Sequence, residues 1–166
     1  MNQLEHFRKI TTFIFDVDGV LTNSQVLVLE DGKLLRSMSV RDGFAIKEAI
    51  RHGYRFCVIT GGKSEGVKTR LQNLGVQDIY LGQSDKMEAF EEYLYTYDIH
   101  PENVLYMGDD LPDLPVMKRV AVAACPRDAA PEVIEIANYV SGLKGGEGCG
   151  RDVIEKVMRV QQKWPK

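Results

Sequence analysis

Short apolar runs alternate along this chain with longer amphipathic stretches, and that alternation restricts the fold more than any other feature. The runs cover residues 11–17 (TTFIFDV), 54–60 (YRFCVIT), 79–81 (IYL), 104–107 (VLYM) and 120–123 (VAVA). They are brief, often β-branched, and mostly close on Gly, Asp or Thr, as strands buried on both faces do. Between them apolar residues return at helical spacing. Phe44, Ile46, Ala49 and Ile50 lead to Gly53, and Val67, Leu71 and Leu74 lead to Gly75. Met87, Phe90, Tyr93, Leu94 and Tyr97 follow an N-cap at Ser84 or Asp85. Pro131 with Val133, Ile134 and Ala137 predicts a fourth helix, and Val153, Ile154, Val157 and Met158 a fifth. Strand and helix in this order predict a parallel sheet with helices on both faces: a Rossmann-like α/β fold of three layers, α/β/α. The 166 residues suffice for one such domain, spanning 1–166.

One segment breaks the alternation. Residues 25–40 (QVLVLEDGKLLRSMSV) form two strand-like halves around Asp31-Gly32, a hairpin signal placed between the first strand and the first helix. The hairpin reads either as a decorative flap or, because the apolar VLVL and LL exceed what a lone two-stranded ribbon buries, as an oligomerisation element. Lys and Arg number 21 against 24 Asp and Glu, and a net charge of −3 argues against nucleic acid or an anionic membrane surface as partner. Three cysteines (Cys57, Cys125, Cys149) form no C-x-x-C and make no disulfide framework. The opening residues lack the apolar core of a secretory signal, and no run approaches a membrane span. A cytoplasmic location is expected.

Ligands of open parallel sheets bind beyond the carboxyl ends of the strands, and the chemically able residues fall there. Asp16 and Asp18 end the first strand (FIFDVDGVLT). Thr60 with Gly61 and Gly62 ends the second, Lys86 opens the helix after the third, and Asp109, Asp110 and Asp113 follow the fourth (YMGDDLPD). Carboxylates converging on one point repel each other unless a cation lies between them, and few hard oxygen ligands favour Mg²⁺ with a phosphate. A lysine, a hydroxyl and glycine-flanked amides around such an ion make a seat for phosphoryl oxygens. One carboxylate can then act as nucleophile, and a second, two residues on, as proton donor and acceptor.

D-x-D-G-V-L-T after an apolar strand, then I-T-G, a downstream Lys and G-D-D-x-x-D, in that order, resemble the haloacid dehalogenase superfamily in its phosphatase branch. The resemblance covers essentially the whole chain. It implies Asp16 as nucleophile, Asp18 as general acid/base with its backbone carbonyl on Mg²⁺, and Asp16 and Asp109 as further metal ligands. Thr60, Gly61 and Lys86 would bind the phosphoryl group, and either Asp110 or Asp113 would support the metal from behind. About 25 residues separate Asp18 from Gly43, and the stretch from Thr60 to Lys86 holds one helix and one strand, so no cap domain is expected.

VRDGFAIK, YLGQSDKMEAF, HPENVLYMGDDLPDLPVM and GGEGCGRDVIEKV resemble the capless 3-deoxy-D-manno-octulosonate 8-phosphate (Kdo 8-phosphate) phosphatases. That implies a Mg²⁺-dependent homotetramer of lipopolysaccharide precursor synthesis, with hairpins packed about the symmetry axis. It also implies a C-terminal segment, about 143–166, that helps close a neighbour's site. Gly62 departs from the pattern, because many relatives place Arg there. A nine-carbon sialic-acid-type 9-phosphate is therefore the alternative substrate. Arg41, Lys63, Arg70 and Arg151 are candidates for the substrate carboxylate. A phosphomutase would need a cap, and a non-enzymatic oligomerisation module would be expected to lose the carboxylates kept here.

Overall fold

In the computed structural model, which describes residues 2–166, the apolar runs become strands of one parallel sheet. The chain begins with α1 (Gln3–Lys9), β1 (Thr12–Phe15), the hairpin strands β2 (Leu27–Val28) and β3 (Leu34–Leu35), and α2 (Val40–Arg51). It continues through β4 (Arg55–Ile59), α3 (Glu65–Asn73), β5 (Asp78–Tyr80), α4 (Lys86–Tyr97) and β6 (Val104–Met107). The last elements are α5 (Leu114–Met117), β7 (Val122–Cys125), α6 (Pro131–Ile136), β8 (Tyr139–Val140) and α7 (Cys149–Val160). The sheet runs β5-β4-β1-β6-β7-β8, every pairing parallel. Phe13 stands opposite Phe56 on one side and Leu105 on the other.

Alternation along each strand divides the core. Phe13, Phe15 and Phe56 join Ala45, Ile46 and Ala49 of α2, Val67 and Leu71 of α3, and Val153, Ile154 and Val157 of α7. Ile14, Cys57, Ile59 and Tyr106 face the opposite layer, with Phe90 and Tyr93 of α4, Val116 of α5 and Val133 of α6. Each fully buried large side chain contributes about 1.5–3 kcal/mol by leaving water, so a one-residue slip of β1, which swaps its two faces, is heavily disfavoured. The connection from β1 leads to β4 and that from β6 to β7, in opposite directions along the sheet. The carboxyl ends of β1 and β6 therefore border the topological switch point.

Three elements lie outside the sequence reading: α1, the four-residue α5 and β8. α1 carries a capping box, in which the Asn2 side chain accepts from the Glu5 N–H and Glu5 accepts from the Asn2 N–H. β8 is a two-residue edge strand on β7. α2 starts earlier than its apolar periodicity, because Ser39 caps it by accepting from the Asp42 N–H. The hairpin strands are only two residues each, joined through Gly32 in the left-handed region (φ +86°). Their apolar side chains stand in solvent: Leu27 is 63% and Val28 64% exposed, with Leu34 and Leu35 close behind. No helix among the described residues is long and apolar enough to cross a membrane.

Candidate active site

Asp16 leaves β1 buried at the floor of a concavity of about 350 Å³. One carboxylate oxygen accepts the Val17 N–H at 2.7 Å, and the other meets Lys86 Nζ at 2.9 Å. The loop that follows is tight, since the Val17 carbonyl accepts from the amides of Val20, Leu21 and Thr22. Gly19 sits in it at φ +86°, and a Cβ there would lie 1.7 Å from Asp109 Oδ2. Only glycine lets Asp109, from the end of β6, come against the Asp16 loop. On the far lip, Thr60 is buried at the end of β4, its hydroxyl accepting the Gly62 N–H. That lip is fastened to the β5–α4 connection by Gly82 N to the Gly62 carbonyl and Gln83 N to the Thr60 carbonyl.

Lys86, the first residue of α4, is the hub. Its ammonium meets Asp113 at 2.7 Å as well as Asp16. Burial pulls the Lys86 pKa down, but the charges of Asp16 and Asp113 outweigh it and hold it above the ordinary value. Burial raises Asp16, as does the charge of Asp113. Burial also raises Asp109, with Asp16, Asp113 and Asp110 adding to it. Three carboxylates against one ammonium carry an excess of negative charge that the protein leaves uncompensated.

Ligand atoms of Asp16, Asp109 and Asp113 lie within 4.8 Å of one another, so the cluster fits a divalent cation by charge and donor type. The hydrogen bonds sort the three. Asp113 is wholly buried and accepts four donors: Lys86 Nζ and the Tyr106 hydroxyl on one oxygen, the Asp109 and Asp110 amides on the other. Protein donors thus fill its acceptor capacity, and it braces Lys86 and the start of the Asp109–Asp110 turn. Asp110 is exposed and caps the turn over Leu111–Asp113 by accepting the Leu111 N–H. Gly108 is needed here too, because a Cβ would strike the Asp113 side chain at 2.4 Å.

Asp18 is half-exposed on the wall and pairs with a residue the sequence reading passed over. Arg36, one residue beyond β3, donates from Nε to Asp18 Oδ1 at 2.7 Å and from Nη2 to Oδ2 at 3.2 Å. Gly62 leaves room for that guanidinium, since a Cβ there would approach Nη2 to 3.2 Å. Ser24, Gln83, Ser84 and Pro112 complete the lining. Ion pairing across 18 residues leaves no local pattern by which Arg36 could have been found.

The four proposed carboxylate contacts are not brought into the cavity. Arg41 is exposed on the first turn of α2, and Arg70 reaches back to the Ser39 carbonyl at 3.5 Å. Lys63 lies over Gly82, beside the lip. Arg151 pairs with Glu155 and stacks its guanidinium on Phe44 and Trp164, because its backbone amide is tied to Asp42 on the far side of α2. The C-terminal segment from about residue 143, expected to act on a neighbour's site, packs within its own chain beside the Asp16 loop. A Cβ on Gly145 would fall 2.0 Å from the Gly19 carbonyl oxygen, and Gly146 donates to the Val20 carbonyl. Gly145 and Gly146 pack beneath the Asp16 loop as a strut, their lack of a side chain permitting the close approach.

A parallel sheet bearing this acidic cluster, lysine and hydroxyl at its switch point defines a phosphatase of the haloacid dehalogenase type. The family model described as haloacid dehalogenase-like hydrolase matches residues 75–148. The chain is 40% identical over 154 residues to the 3-deoxy-D-manno-octulosonate 8-phosphate phosphatase KdsC of Escherichia coli strain K12, covering 93% of this chain and 82% of that one. The crystal structure of the Yersinia pestis 3-deoxy-D-manno-octulosonate 8-phosphate phosphatase superposes with a TM-score of 0.94 at 36% identity, over 96% and 86% of the two chains. That of the Moraxella catarrhalis enzyme, in complex with magnesium ion, phosphate ion and Kdo, gives 0.93 at 28%, over 96% and 91%. The chain belongs to the 3-deoxy-D-manno-octulosonate 8-phosphate phosphatase family, and it is an enzyme rather than a bare oligomerisation module.

Proposed function

We propose that this phosphatase hydrolyses Kdo 8-phosphate to Kdo and phosphate in lipopolysaccharide precursor synthesis, with Mg²⁺ and through an aspartyl-phosphate on Asp16. The observation that carries the reading is the setting of Asp16: a buried carboxylate oriented by the Val17 amide and Lys86, beside Asp109, in a concavity whose wall bears Asp18 and Thr60. The Asp16 and Asp109 carboxylates and the Asp18 backbone carbonyl would hold the ion, which supplies positive charge for the phosphoryl oxygens. The Lys86 ammonium, the Thr60 hydroxyl and the Gly61 segment bind those oxygens. Asp16 attacks phosphorus, and the bond to the sugar oxygen breaks as the Asp18 carboxyl delivers its proton to that oxygen. Asp18, now a carboxylate, takes a proton from a water that attacks phosphorus, and the Asp16 ester opens to release phosphate.

Because Gly62 stands where many relatives have Arg, nine-carbon keto-acid 9-phosphates are the second reading. Turnover of Kdo 8-phosphate against those compounds and simple sugar phosphates, with Mg²⁺, tests both. A kcat/KM highest for Kdo 8-phosphate supports the first reading, and hydrolysis of neither keto-acid phosphate overturns both. Our reading includes a homotetramer, the apolar hairpins packing copy against copy and neighbours covering the cavity mouth, in the cytoplasm, where the three free buried thiols stay reduced.

A further inference from the structure

We infer that Arg36 is a positioning residue for the proton-transfer step: the hairpin, through its guanidinium, sets the direction of the Asp18 carboxylate. The inference rests on Asp18 being the general acid, as proposed above. Asp18 follows β1 in an irregular loop, its side chain is 38% exposed, and among the described residues its carboxylate has no hydrogen-bond donor other than Arg36. A carboxylate so placed would sample its rotamers freely. Two parallel N–H···O bonds fix both its position and its plane, which a single point charge does not do.

Arg36 is itself held. Its side chain is 8% exposed, in a slot lined by Val17, Thr60, Gly62, Ser64, Val67 and Leu81 with about 10 Å³ of free space. The slot joins the Asp16 loop to the Thr60 lip, so the guanidinium is braced by the two segments that build the phosphate seat. Its backbone belongs to the hairpin, one residue past β3. Whatever packs on the exposed Leu34 and Leu35 therefore bears directly on where Asp18 points, which links assembly of the hairpin to proton delivery.

The experiment compares kcat/KM for an alkyl phosphate, whose leaving oxygen needs a proton, with p-nitrophenyl phosphate, whose leaving group departs without one. Arg36→Gln keeps most of the stem and its packing but loses the fork, and Arg36→Lys keeps the charge. Asp18→Asn is the reference, and circular dichroism reports folding. The alkyl-to-aryl ratio is expected to fall roughly tenfold or more in Arg36→Gln, as for a misplaced catalytic group. It should recover only partly in Arg36→Lys, and Arg36→Gln should add little in the Asp18→Asn background. Equal losses on both substrates in folded Arg36→Gln overturn the inference, as does a ratio that rises. If Asp18→Asn leaves the ratio unmoved, the assignment of Asp18 as acid has failed instead, and the inference falls with it.

Discussion

Replacing Gly19 by alanine tests the geometry of the cluster without removing any group that does chemistry. The substitution has two separable costs. The first is conformational, because Gly19 sits at φ +86°, where a side chain costs about 1–2 kcal/mol. Gly53 shares that conformation at φ +90°, just beyond α2, with nothing within 4 Å of a Cβ, so Gly53→Ala measures the conformational cost alone. Less stiff unfolded glycine offsets part of it, and each net kcal/mol should lower Tm by roughly 2–4 °C for a chain of this size. The second cost belongs to Gly19. With Asp109 Oδ2 only 1.7 Å from the new Cβ, the carboxylate must retreat by about 1.6 Å to reach an ordinary carbon–oxygen separation. A displacement of that size should cost about a hundredfold in kcat/KM and raise the Mg²⁺ concentration needed for half-maximal rate. Thermal melts and Mg²⁺ titrations of turnover on both variants supply the measurement. Gly19→Ala with normal activity at ordinary Mg²⁺ would show that Asp109 does not need this approach and is not a ligand.

Asp16→Asn should abolish turnover, since an amide is a poor nucleophile and a weaker cation ligand; near-normal kcat in a steady-state assay refutes the assignment. Chelation with EDTA should remove activity and added Mg²⁺ restore it, while activity that persists through exhaustive chelation counts against the cation seat. Leu27→Glu with Leu35→Glu places charge on both arms of the exposed hairpin and should convert an oligomer to monomer by light scattering; an unchanged mass clears the hairpin of that role. Asp42, buried between α2 and α7 with one oxygen unpartnered, is raised to about 6 by burial despite accepting the Arg151 amide. Its folded pKa lies above its unfolded value, so stability is lost as pH rises from about 4 through 6, by an amount on the order of 3 kcal/mol, and Asp42→Asn should flatten that part of the Tm–pH curve; an identical slope in the variant overturns this.

The sheet was legible because its signals are periodic and local. Five apolar runs and the helices between them carry most of the architecture, and the rule that ligands gather at strand ends then points to Asp16, Asp18, Thr60, Lys86 and Asp109. α1 escaped because its signal is a cap, Asn2 to Glu5, ahead of one buried Phe7 rather than a full apolar stripe. Asp110 and Asp113 were inseparable for a different reason. Both follow the same strand, and only the turn over Leu111–Asp113 carries Asp113 back under Lys86 while leaving Asp110 in solvent.

Glycine shows the limit most sharply. By sequence alone the run from Gly145 is compatible with a flexible connection, and Gly19 with a turn. Gly19, Gly145 and Gly146 are glycine because another backbone or a carboxylate lies where a Cβ would be. Freedom in the chain and closeness to a neighbour select the same residue, and only the neighbour, Gly19 across from Gly145 and Asp109 across from Gly19, separates them. The two contacts form one stack: the strut supports the Asp16 loop, and the loop accepts Asp109. A methyl group at Gly145 should therefore disturb the cation seat through two layers of backbone, although no atom of Gly145 lines the cavity.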